Sequence, residues 1–126
     1  MKTPTHLYVC GPMRGIKDFN FPAFALATQW LRDAGYKVTS PAEMECTHER
    51  TLERLIEMTP TELLAHLRLA LIRDINVICD CDVDGLALLP GWHLSMGAHA
   101  EIAVATALGD IKCLSVCEWL TMKQKE

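Results

Sequence analysis

Long apolar runs, blocks of basic residues and C-x-x-C pairs are all missing from this chain of 126 residues. With no apolar stretch of about 20 residues there is no candidate membrane span. The start, MKTPTHLYVCGPM, lacks the apolar run of a secretory signal. The 12 Lys and Arg are scattered and outnumbered by 16 Asp and Glu, for a formal net charge of -4. A protein that grips a nucleic-acid backbone needs a basic face, so polymer binding is not expected; a small anion needs only a few local donors. Cysteine is not scarce, but Cys79–Cys81 and Cys113–Cys117 have the wrong spacing for a structural zinc site. A reducing, cytoplasmic setting with thiols as small core residues is the simplest expectation. Internal repeats and low-complexity segments are absent too. What is present is a hydrophobic fraction of 50% in a length that suits one domain, residues 1–126, with a real core.

Local patterns then order the chain. HLYVCG, residues 6–11, reads as a buried first strand that stops at glycine and proline. A loop, PMRGIKDFN, follows. Phe24, Ala27, Leu31 and Ala34 make one helical stripe, with Asn20 placed to cap it, Pro22 in its first turn and Gly35 at its end. YKVTSP reads as a second strand stopped by Pro41. Residues 42–58 are polar and fit either a binding lid or a solvated connector with a helical turn. Thr59, Pro60 and Glu62 form a capping box that starts a helix running to about Cys79. DGLALLP is a third strand, SMGAHAEIAVATALG a third long helix and IKCLSV a fourth strand; EWLTMKQKE reads as a polar tail. Strands alternating with helices predict an α/β fold: a single three-layer α-β-α domain with a doubly wound, mainly parallel sheet. The loops at 11–20 and 90–96 then share the rim of carboxyl strand ends where such sheets bind ligands.

Two carboxylates stand where apolar residues belong. On the second long helix Asp74 falls in the middle of an arc set by Leu67, Leu71 and Ile78. A charge on a core stripe costs several kcal/mol unless paired. Either Asp74 is tied to nearby backbone or to an arginine such as Arg73 or Arg14, or it faces a cleft. Glu101 shares its stripe with Ala98, Ala105 and Leu108 on a helix that is apolar nearly all round, which predicts burial. Ser95 is the natural N-cap of that helix. Its hydroxyl and the free amides of Met96 and Gly97 also suit an anion, phosphate above all. Gly11, Met13, Arg14 and Gly15 add a glycine-flanked turn whose arginine can fork onto phosphate or carboxylate, and Tyr8 sits within the first strand. Two acids beside a phosphate-sized anion site point to chemistry at a sugar. One attacks the anomeric carbon and the other serves the leaving base, as in retaining glycosidases. Such a reaction requires neither metal nor organic cofactor. His48 and Cys46 lack partners for a metal site, and His99 reads as a packed or half-exposed helix residue.

Taken together, YVCGPMRG, SPAEM, RD and LPGWHLSMGAHAEIAVATALG resemble the nucleoside 2-deoxyribosyltransferase-like superfamily, in particular a small phage and bacterial branch similar to the 2′-deoxynucleoside 5′-phosphate N-hydrolases. The resemblance implies a flavodoxin-like fold, Glu101 as nucleophile, Asp74 as proton-transfer acid and Tyr8 as the hydroxyl that holds the nucleophile. It gives Gly11 and the MRG turn the sugar and its 5′ substituent. Six residues before the nucleophile the transferases carry an aspartate for a free 5′-hydroxyl, and the N-hydrolases a serine for a 5′-phosphate; here the residue is Ser95. Trp92 and His93 depart from the usual run and are placed to contact a base or to cap the cleft. The LPG…G…E layout also resembles phosphoribohydrolases, which leaves ribose and deoxyribose both open. Related sites are completed by a neighbouring subunit, so a homodimer or larger homo-oligomer is expected, and the tail around Trp119 is a candidate to pack at the site. Nucleotide N-glycosidase is the leading expectation, with a deoxyribosyltransferase or a non-catalytic nucleotide-binding module (a sensor or a phage counter-defence protein) as alternatives.

Overall fold

The computed structural model describes residues 5–46, 50–80 and 82–125. Four strands, β1 (His6–Cys10), β2 (Lys37–Thr39), β3 (Gly85–Leu88) and β4 (Lys112–Ser115), pair entirely in parallel in the order β2-β1-β3-β4. Helices α1 (Phe21–Asp33), α2 (Pro41–Glu45), α3 (Thr51–Glu57), α4 (Pro60–Asp80), α5 (Met96–Leu108) and α6 (Val116–Gln124) connect and cover them. The fold is the expected three-layer α/β arrangement.

Period-two alternation along the strands divides the core into two halves. Leu7, Val9 and Ala87 pack with Phe24, Ala27 and Leu31 of α1 and with Val116 and Trp119 of α6. Tyr8, Cys10, Leu86 and Leu88 point the other way, toward Ile78 of α4 and Ala98 and Ala105 of α5. β1 is buried along its whole length, as a central parallel strand covered on both faces must be. Because the chain moves outward from β1 to β2 and then back past β1 to β3, the strand order reverses between β1 and β3. A crevice forms at their carboxyl ends, at Cys10 and Leu88.

Several sequence expectations need correction. Asn20 does not cap α1 through its side chain: it takes a left-handed φ of 60°, and its Nδ2 donates to the Pro12 carbonyl at 2.9 Å. Asp18 and Phe19 share the left-handed conformation, and the Asn20 side chain ties this turn back to the start of the β1 loop. The described residues between 42 and 58 are largely helical, as α2 and α3; residues 47–49, His48 among them, lie outside the described residues. The tail is helix α6, started by a capping box in which Ser115 Oγ accepts from the Glu118 amide and Glu118 Oε1 from the Ser115 amide. α5 is buried on one face only: Ala98, Glu101 and Ala105 are inside, whereas Leu108 is exposed. Of the described thiols Cys10 is buried and Cys113 packs half-buried against the same half of the core; Cys46, Cys79 and Cys117 are exposed. The capping box at Thr59 and Glu62 and the Ser95 cap form as expected.

Candidate active site

Strand alternation delivers Tyr8 and Cys10 to the face beneath α5, and Glu101 comes down on them from that helix. The Tyr8 hydroxyl donates to Glu101 Oε2. The Cys10 thiol lies 3.5 Å from Glu101 Oε1. Glu101 is 6% exposed, and Tyr8 and Cys10 are wholly buried. Burial therefore pushes the Glu101 carboxyl up to about 7, opposed by the Tyr8 hydrogen bond and reinforced by the negative charge of Asp74. The Tyr8 phenol is held well above its ordinary value by burial and by Glu101, so it remains a donor across the physiological range.

Asp74 projects from α4 toward the same point. Its Oδ1 accepts from Arg73 Nη2 at 2.8 Å, and Arg73 Nη1 reaches Glu45 Oε1 at 3.1 Å. His66 Nε2 stands 2.7 Å from the other Glu45 oxygen. Burial raises the Asp74 carboxyl above its usual range, while the charge and hydrogen bond of Arg73 and, less, the nearby Tyr8 hydroxyl hold it back. The paired reading and the cleft reading of Asp74 thus hold at once. Leu67 and Leu71, expected with it on a core stripe, are instead cleft wall, Leu71 being 38% exposed.

A cleft of about 340 Å³ opens over these acids, within the range of about 300–1,000 Å³ common for small-molecule sites. The β1 loop contributes Gly11, Met13 and Arg14 to its lining, α2 contributes Glu45, and α4 contributes Leu64, Arg68, Arg73 and Asp74. Ser95, Met96, Gly97 and Glu101 close it from α5. Ser95 Oγ accepts from the Ala98 amide at 3.1 Å, which leaves the hydroxyl proton free to donate outward. Met96 and Gly97 carry first-turn amides, which no intrahelical carbonyl can satisfy. Gly11 is required by packing: a Cβ there would lie 2.7 Å from Leu89 Cβ.

Four residues singled out from the sequence lie elsewhere. Gly15 is at an open left-handed turn (φ 81°) and is not part of the cleft lining. Trp92 packs on the core beneath α5 with its ring 5.7 Å from His99, whose Nε2 lies 2.8 Å from the His93 carbonyl; neither Trp92 nor His93 lines the cleft. His99 itself is exposed. Trp119 belongs to the opposite half of the core. Its indole N–H donates to the Leu86 carbonyl at 2.9 Å, and a Cβ on Gly85 would strike its ring at 2.3 Å. A wider groove of about 590 Å³ between α1 and α6, bordered by Trp30, Leu120 and Lys123, holds no buried acid and lies in the other helical layer. Among the described residues no group of three or more His, Cys, Asp or Glu is placed to hold a metal ion.

Sequence reasoning missed Glu45, His66 and Arg68, and treated Cys10 only as a core thiol. Glu45 had no local signal, because its partners lie 21 residues and more downstream. Arg68 is detectable only as the residue one turn past Leu64, itself on the cleft wall.

The fold and the site define a class: a parallel α/β protein with one buried acid, Glu101, and one half-buried acid, Asp74, at the point where strand order reverses. The chain belongs to the family described as a domain of unknown function (DUF4406), whose match covers residues 5–112. That span includes both acids, Tyr8, Cys10 and the start of α5. No curated protein and no solved structure matches the chain.

Proposed function

We propose that this protein is an N-glycosidase that cleaves the base–sugar bond of a nucleoside or deoxynucleoside 5′-monophosphate. One observation carries the reading: Glu101, buried and clamped by Tyr8, shares a cleft with Asp74 and with the Ser95–Gly97 helix start. The 5′-phosphate accepts from the Ser95 hydroxyl and the Met96 and Gly97 amides, with Arg14 as counter-charge. Asp74 takes the proton that Glu101 gives up; Glu101, now ionised, attacks the anomeric carbon, the carbon–nitrogen bond to the base breaks, and Asp74 passes that proton to the leaving base. Water then opens the glycosyl ester and returns a proton to Asp74, giving free base and sugar phosphate. The resemblance to the nucleoside 2-deoxyribosyltransferase-like superfamily supports the same assignment. The proposed setting is cytoplasmic and the proposed assembly a homodimer, supported by exposed leucines around the cleft mouth.

The test is a panel of ribo- and deoxynucleoside 5′-monophosphates assayed for free base, wild type beside Glu101→Ala. Release by the wild type and a loss of roughly 10³-fold or more in the variant is expected. Formation of a new nucleotide when a second free base is added identifies a transferase. Binding without any turnover, unchanged in Glu101→Ala, overturns the enzymatic reading in favour of a nucleotide-binding module.

A further inference from the structure

The two oxygens of Glu101 are held by unequal donors. Oε2 takes the phenolic proton of Tyr8, a strong donor, and Oε1 faces the Cys10 thiol at 3.5 Å, a weak one. Both donors stand on β1, two residues apart, so strand geometry fixes their spacing. Cys10 is wholly buried, and among the described residues its other acceptor is the Ala98 carbonyl at 3.8 Å. That carbonyl is already engaged in the α5 ladder. The thiol proton therefore turns to Oε1 when Glu101 is ionised and is free to rotate toward Ala98 when it is not.

We propose that Cys10 is a positioning residue for Glu101, orienting Oε1 through a hydrogen bond weak enough to leave that oxygen the more basic and more nucleophilic of the two. A serine in its place has the same shape but donates strongly, which makes Oε1 less basic. An alanine donates nothing. The thiol itself is no nucleophile, because burial and the neighbouring Glu101 charge hold it far above its ordinary value. The other groups acting on Glu101 are Tyr8 from the same strand and Asp74 and Arg73 from α4. Arg14, Glu45 and Arg68 are the charged groups elsewhere on the cleft wall. None of them changes in the Cys10 variants.

That Oε1 is the attacking atom rests on the reading above; the clamp does not, and it is measured directly. Protein labelled with ¹³C at the glutamate carboxyl is titrated by NMR, the Glu101 signal being identified by its loss in Glu101→Gln. Against wild type, Cys10→Ala should raise the Glu101 midpoint and Cys10→Ser should lower it, each by about half to one pH unit. Shifts in the same direction, or none, overturn the proposal, since a packing role alone cannot produce opposite signs. Should either variant fail to fold by circular dichroism, the wild type still decides. Its S–H infrared stretch must move to lower frequency as Glu101 ionises, and a stationary band rejects the clamp. A responsive Glu101 with no nucleotide cleaved leaves the clamp standing and removes the proposed reaction.

Discussion

A carboxyl group sealed beneath alanines and titrating near neutrality leaves a mark on stability as well as on chemistry. Folded Glu101 binds its proton up to about pH 7, against an ordinary value of 4.5. Between those values the native state holds more protons than the unfolded chain, so stability falls as pH rises through the window. The full difference is about 3 kcal/mol, present below pH 4.5 and lost above 7. Glu101→Gln keeps the shape, keeps an acceptor for Tyr8 and cannot ionise. Urea unfolding should therefore find the variant about 1–3 kcal/mol more stable than wild type at pH 8, with the gap closing toward pH 5. Parallel stability profiles for the two proteins would mean that the carboxyl is solvated in solution. Glu101 and Asp74 were legible from sequence because a charge on an apolar stripe is an anomaly visible within one turn or two. Cys10 was not: its role depends on a contact across 91 residues, and a buried thiol looks like any other small apolar side chain.

At the scale of elements, the proposed reaction assigns the choice of substrate to α5. Its start is a serine cap whose accepting oxygen is engaged and whose proton is not. Ser95→Asp keeps the cap, since aspartate accepts from the same amide at least as well. It also places a negative charge where a phosphate is proposed to sit. The expected result is a fold-stable variant whose KM for a 5′-monophosphate rises by roughly 10-fold or more while that for the matching nucleoside falls or holds. An equal effect on both substrates would move the phosphate away from this helix. The same logic explains what was read correctly along the chain and what was not. Capping motifs are local, so the Thr59–Glu62 and Ser95 starts were visible. The Ser115–Glu118 box carries the same S-x-x-E signal, but the polar residues after it suggested a tail. What makes α6 a helix of the fold is tertiary: Trp119 over Gly85, with its carbonyl accepting from the Tyr36 hydroxyl at 2.6 Å. The turn at residues 17–20 escaped for a related reason, because Asn20 is committed to Pro12 and not to the helix it precedes.

The whole molecule has an unbalanced surface. α4 is 21 residues long, yet of its side chains only Ala70 and Ile78 are buried. Leu64, Leu69, Leu71 and Ile72 are exposed on it, and Leu94 and Met96 stand at 80% and 84% exposure near the start of α5. Single exposed leucines are ordinary, but a cluster beside a cleft marks an interaction surface. A second copy of this chain is the proposed occupant: it covers the apolar rim and excludes water from the two acids, which strengthens every electrostatic contact within. Leu69 and Ile72 are outside the cleft lining, which makes them a clean probe. In a monomer, replacing them by glutamate alters stability by no more than about 0.5 kcal/mol each. In a dimer, the double variant Leu69→Glu, Ile72→Glu buries two unpaired charges per subunit. Sedimentation should then show a wild-type dimer at micromolar concentration and a folded monomeric variant with base release reduced. A wild type that is monomeric at that concentration would remove the proposed dimer, and a variant that still dimerises would place the interface elsewhere; either leaves the cleft to work open to solvent. That outcome is itself informative, because the basicity of Glu101 in the isolated chain already comes from its own burial beneath α5 and not from a partner.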